Sequence, residues 1–260
     1  MAGYHLCSVQ TAERPFFLAN IQVAIRSVEE LAYFFSRYPA LVDETIMDGE
    51  LVQWVAVELN LPRTAARMKK AVEEESARNF AGAVLRETGL LAPRELAMLL
   101  AYYEELDAMK PVFRKKAVAD ALLSSGKISA AIEAYRYVVD ALQGSSLRSP
   151  ELLAAAWHDR GVAEMRLMLY EEAMASFKKA MHASEKEQYR TDYLAALLIA
   201  RPFDRREGEI EEEHISPEEL LMAEELVADA RTEDDGDKVA EPVETYLAGL
   251  TAAYHAATGL

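Results

Sequence analysis

The stretch LLAAAWHDRGVAEMRLMLYEEAMASFKKAMHAS, Leu152 to Ser184, decides the fold. It reads as two helices joined by a tight turn. Gly161 lets the second helix approach the first closely, and Ala173 reads as the small residue facing it. Trp157 and Phe177 are large enough to fill the space between such units. A helix pair of this size cannot bury its apolar face alone and must stack on neighbours.

The flanking sequence supplies those neighbours. Val112–Ser124 and Ile128–Leu142 form a similar pair around Ser125-Gly126-Lys127, with Ala119 at the close-packing position. Ala131, Tyr135 and Val138 then match Ala173, Phe177 and Ala180. Ala119 and Gly161 are 42 residues apart because a Gly/Ser-rich loop, 143–150, intervenes. A further helix is expected from about Lys186 to Ala200, ended by Pro202.

Upstream, residues 1–26 are the least helical part and read as an extended arm. Ser27-Val28-Glu29-Glu30 is a capping box, opening a helix striped with Leu31, Phe34, Phe35 and Tyr38. A short helix is expected over Leu41–Met47. Asp48 should cap a helix running to Leu59, apolar nearly all round and therefore buried. Pro62 to Glu87 reads as one long helix or two, with a bend favoured near Glu75-Ser76, and Gly89 is a C-cap. Pro93 and Pro111 open further helices. Downstream, Asp204–His214 reads as a charged loop. Ser216-Pro217-Glu218-Glu219 caps a helix to about Arg231, and Thr232–Glu241 is polar and acidic. A last helix from Pro242, striped with Val243, Leu247, Leu250 and Tyr254, should dock as a cap. The predicted organisation is all-α: an N-terminal helical region (1–91), helical repeats (92–200), and an acidic segment with capping helices (201–260).

The net charge is −16, but 16 acidic and 4 basic residues lie between Asp204 and Glu241. That local −12 leaves only −4 for the rest of the chain. Phosphate binding needs a basic face, so no nucleic-acid partner is expected. The acidity reads as solubility. One cysteine, Cys7, allows no internal disulfide and fits a reducing compartment. No run approaches the ~20 apolar residues of a membrane span, and the N-terminus has no apolar signal core. A cytoplasmic protein is expected.

No pair among His5, His158, His182, His214 and His255 stands at helical metal-site spacing, and His5 with Cys7 supplies only two ligands. Glu211-Glu212-Glu213 lacks the alternating ligands and glycine turn of a calcium loop. There is no phosphate-cradling glycine loop and no nucleophile elbow. Neither enzymatic activity nor a cofactor is expected.

Trp157, Gly161, Ala173, Phe177 and Ala180 stand at the signature offsets of tetratricopeptide repeats, which residues 112–200 resemble. Arg160 stands where that pattern has Leu, and Glu164 where it has Tyr; both should weaken packing. The N-terminal part, with Arg14-Pro15-Phe16-Phe17 and then Ser-Val-Glu-Glu-Leu, resembles a group of bacterial repeat proteins. The resemblance implies a right-handed solenoid whose first helices line a groove that holds a protein or peptide. Carried over, the groove positions are Phe113, Lys116, Asp120 and Leu123 in the first repeat. The second gives Ala155, His158, Val162, Met165 and Arg166, and the third gives Asp192 and Ile199. Asp120 and Val162 stand where carboxylate-capturing repeats have Asn. Lys116, His158 and Arg166 suggest a basic strip for an acidic, partly apolar peptide, unless the acidic C-terminal segment covers it. An interaction scaffold is expected; a regulator would need an output domain, for which residues 1–91 are the one candidate.

Overall fold

A computed structural model describes residues 11–19, 21–144, 149–202 and 205–234, the last four by backbone alone. The chain divides into two compact units, Met1–Ser184 and Glu185–Leu260. Twelve α-helices and one small hairpin make up the described residues. The expected helix from Pro242, and His5, Cys7 and His255, lie outside them.

The first unit begins with an antiparallel hairpin, β1 (Phe16–Leu18) and β2 (Val23–Ile25), in which Phe17 pairs with Ala24. Part of the expected arm is therefore a sheet edge, anchored where Trp54 Nε1 donates to the Arg14 carbonyl at 2.7 Å. Then follow α1 (Val28–Arg37), α2 (Gly49–Val57), α3 (Pro62–Glu73), α4 (Ala77–Thr88) and α5 (Pro93–Ala108). The series continues with α6 (Pro111–Ser124), α7 (Ile128–Gly144), α8 (Pro150–Arg166) and α9 (Tyr170–Ala183). Neighbouring helices pack in sequence from α2 to α5 and from α6 to α9, with α1 laid against α4. One apolar core runs from Ala12 to Tyr135. Within it the fully buried Tyr103 of α5 donates its hydroxyl to the Phe35 carbonyl of α1 at 2.9 Å.

Element boundaries follow local chemistry. The Ser27 hydroxyl accepts from the Glu30 N–H, while the Glu30 carboxylate reaches past Ser27 to the Arg26 N–H. Asp48 caps α2 through the Leu51 N–H. The bend expected near Glu75 is a full break: Glu75 has φ of 52° and Ser76 caps α4. Asp107 of α5 accepts from the Ala77 and Arg78 N–H groups at the start of that helix. Gly89 ends α4 at φ of 58°, the left-handed conformation that glycine adopts at least cost.

Three expectations are corrected. Leu41–Met47 is not a helix; a single 3-10 turn at Pro39–Leu41 precedes turns, with Asp43 accepting from Thr45 instead. The helix α2 ends at Val57, which is 67% exposed, so its apolar surface is not buried all round. In the second unit, Asp204–His214 is not all loop: α11 (Glu207–Glu212) follows α10 (Glu187–Ala200). The Tyr193 hydroxyl and the Arg201 guanidinium hold Glu209 of α11 at 2.8 and 3.2 Å. There α12 (Pro217–Asp234) packs on α10, its start fixed by a reciprocal box between Ser216 and Glu219. Arg190 of α10 also binds Glu219; that hydrogen bond, with the Ser216 N–H, holds the carboxyl down at about 2.

The deciding stretch packs more tightly than its pattern implies. A Cβ placed on Gly161 would lie 2.9–3.1 Å from three atoms of the Phe177 ring, so the ring occupies the hollow the glycine leaves. The residue against Gly161 is thus Phe177, itself buried and 5.4 Å from the His158 ring. Arg160 and Glu164, read as defects, form a pair one helical turn apart. Arg160 Nε donates to the 2%-exposed Glu164 carboxylate at 2.8 Å, and the Ser176 hydroxyl of α9 donates to its other oxygen at 2.6 Å. Arg160 and Lys179 both lie against the Trp157 ring.

Gly→Ala inside a helix ordinarily stabilises by about 1 kcal/mol. Gly161→Ala should instead lower the urea midpoint, because the Phe177 ring must move. Gly161→Leu should cost about 1–3 kcal/mol through overpacking. A Gly161→Ala variant more stable than wild type would show that the ring yields freely.

Candidate partner-binding groove

Phe113, Lys116, Asp120 and Leu123 are spaced by three and four residues, which puts them on one face of α6. On α8, His158, Val162, Met165 and Arg166 share a face in the same way. The two helices touch, and the polar residues between them form a connected network. Lys116 Nζ binds Asp120 at 2.9 Å on its own helix and Asp159 of α8 at 2.6 Å. Asp159 accepts on its other oxygen from His158 Nδ1 at 3.0 Å. The Tyr135 hydroxyl of α7 donates to Asp120 at 2.7 Å. At the far end, Arg166 Nη1 donates to the Leu123 carbonyl at 3.3 Å.

Of the eleven predicted positions, Lys116, Asp120 and His158 are joined in this network, and Leu123 and Arg166 are joined by their own hydrogen bond. Phe113 is 38% exposed and Val162 is half-buried. Asp192, half-buried, and Ile199, 36% exposed, lie on α10 in the second unit. Sequence reasoning missed Asp159 and Tyr135 as members. Asp159 lies beside a groove position rather than on one. The sequence pattern marks Tyr135 as a packing residue, which its ring is, while its hydroxyl serves the network.

The electrostatics follow from burial and pairing. The Lys116 side chain is only 14% exposed. Burial alone would lower its pKa, but the hydrogen bond to Asp159 and the Asp120 and Asp159 charges raise it instead. Burial would raise the Asp159 carboxyl, and hydrogen bonds from His158 and Lys116 outweigh it and hold the carboxyl low. Burial, then the Asp120 charge and hydrogen bond, push the Tyr135 phenol up. The predicted basic strip is therefore compensated from within: two carboxylates face Lys116, and one of them also faces His158.

Among the described residues no group of three or more His, Cys, Asp or Glu is arranged to hold a metal ion, and no helix is long and apolar enough to cross a membrane. Compared with models of known protein families, with curated proteins and with solved structures, the chain has no match.

Asp159→Asn should destabilise the first unit by about 1–3 kcal/mol, since a mostly buried ammonium loses a charged acceptor. The sign with pH is fixed by the lowered carboxyl. Its contribution is present above the unfolded carboxyl pKa and is lost as the pH falls through the folded value. Wild type and Asp159→Asn should therefore converge in acid, as measured by urea unfolding at a series of pH values. A gap that stays constant into acid would place the stabilisation elsewhere.

Proposed function

We propose that the chain is a non-enzymatic interaction scaffold that holds a peptide or protein partner along α6 and α8. In this reading α6–α9 form a right-handed, tetratricopeptide-like array, and the groove is its concave face. The observation that carries the proposal is the Lys116 bridge. It fixes the first helices of two successive repeats side by side and keeps their polar groups satisfied, so the surface is pre-organised and ligand binding costs little ordering. Because the cations are already paired, the partner is recognised chiefly through apolar contact with Phe113, Leu123, Val162 and Met165. Arg166, exposed and with donors to spare, orients it.

A random-peptide display library panned on the purified chain tests this. Wild type should enrich peptides sharing apolar anchors, and Phe113→Glu with Met165→Glu should abolish the enrichment at unchanged helical content. Those two substitutions leave the Lys116 network intact. Reversal of Lys116 itself is not a neutral probe, because it would set three carboxylates together. Equal enrichment by the folded double variant would remove this groove as the binding surface.

A further inference from the structure

The first turns of α1 carry an arrangement that the partner groove does not use. Glu29 and Glu30 are each followed four residues later by an aromatic residue, Tyr33 and Phe34. That spacing puts two carboxylates and two rings on one side of the helix. This side of α1 and the hairpin enclose a second groove, of about 530 Å³. Its floor is apolar: Leu18, Ile21, Ile25 and Phe34 line it, none more than 5% exposed. Val23 and Tyr33, 42% and 61% exposed, form its open lip.

Among the described residues the lining holds two carboxylates, Glu29 and Glu30, and no Lys or Arg. Glu30 gives one oxygen to the Arg26 N–H at 2.6 Å, which leaves the charge of the group in place. The N-terminus of α1 adds back roughly half a positive charge, too little to cancel two glutamates. A ring beside a carboxylate attracts an organic cation twice, through the negative face of the ring and through the full charge. About one turn further along α1, the Tyr38 ring already has the Arg37 guanidinium over it at 5.8 Å. The exposed ring beside the two carboxylates is that of Tyr33.

We propose that this groove binds a small organic ammonium, an apolar body bearing one amine or quaternary nitrogen. The nitrogen sits among Glu29, Glu30 and Tyr33, and the body lies on the apolar wall made by Ile21, Val23 and Leu90. The volume of about 530 Å³ falls within the roughly 300–1,000 Å³ of sites that hold one small molecule. Apolar burial supplies most of the affinity, and the charge selects the head group.

Amide chemical-shift mapping on the full isotope-labelled chain tests the proposal, with phenylbutylamine, phenylbutanol and phenylbutyrate as probes. The three share one apolar body and differ in the head, which is a cation, neutral or an anion at neutral pH. The amine should give saturable shifts at Val23, Tyr33 and Leu90 and bind about tenfold more tightly than the alcohol. The butyrate should bind more weakly than the alcohol. Glu29→Gln with Glu30→Gln preserves shape and the acceptor for the Arg26 N–H, so the double variant should fold. In it the amine should lose its advantage while the alcohol binds as before. Tyr33→Ala, at an exposed position that leaves the helix cap untouched, should weaken the amine more than the alcohol. The proposal is overturned if none of the probes shifts these residues, or if wild type holds the amine no better than the alcohol. It is equally overturned if the preference for the amine survives in the folded double variant or in Tyr33→Ala.

Discussion

One ammonium group, Lys116 Nζ, sits between two carboxylates on two helices, and the geometry of the groove depends on it. The α6 and α8 helices are 25 residues apart in sequence, from the end of one to the start of the other, with α7 and a loop between them. Apolar packing on α7 brings them near, but packing alone does not fix how one helix is rotated against the other. A charge-assisted hydrogen bond of 2.6 Å does so, because it has a short range and a direction. Around it Asp120, Tyr135, Asp159 and His158 each give or receive a hydrogen bond. A mostly buried cation is tolerable only when satisfied in this way.

The same principle recurs one layer deeper. Glu164 is buried in a helix that its neighbours make apolar, and it is acceptable because Arg160 and Ser176 complete its hydrogen bonds. That triad holds the end of α8 against α9. Gly161 lets the Phe177 ring close the same interface three residues earlier. The α8–α9 interface is thus built by a missing side chain and a paired charge acting together.

Much of the helical framework was legible in the sequence because its signals are local. Pro62, Pro93 and Pro111 open helices, Ser27 and Asp48 cap them, and Gly89 ends one, each through its own backbone chemistry. What escaped depends on partners far away in sequence. The three-residue strands of the hairpin carry too short an alternation to declare themselves. The charged α11 has no apolar stripe and is held by Tyr193 on α10 and by Arg201 just after it. In the site, the face of α6 was readable from spacing. Asp159 was not, because its role arises only when α8 is laid against Lys116. Arg160 and Glu164 looked like defects because each was weighed against a pattern singly, whereas their spacing makes them partners.

The central claim is that the α6–α8 face, stapled by Lys116, is the surface on which a partner is held. Site-specific photo-crosslinking in the native cell addresses it most directly, with benzoylphenylalanine placed at Phe113 in the groove and, as a control, at Arg136, exposed on α7. The account predicts a discrete heavier adduct from position 113 that is absent from position 136. No adduct at 113, or the same adduct from both positions, would contradict it.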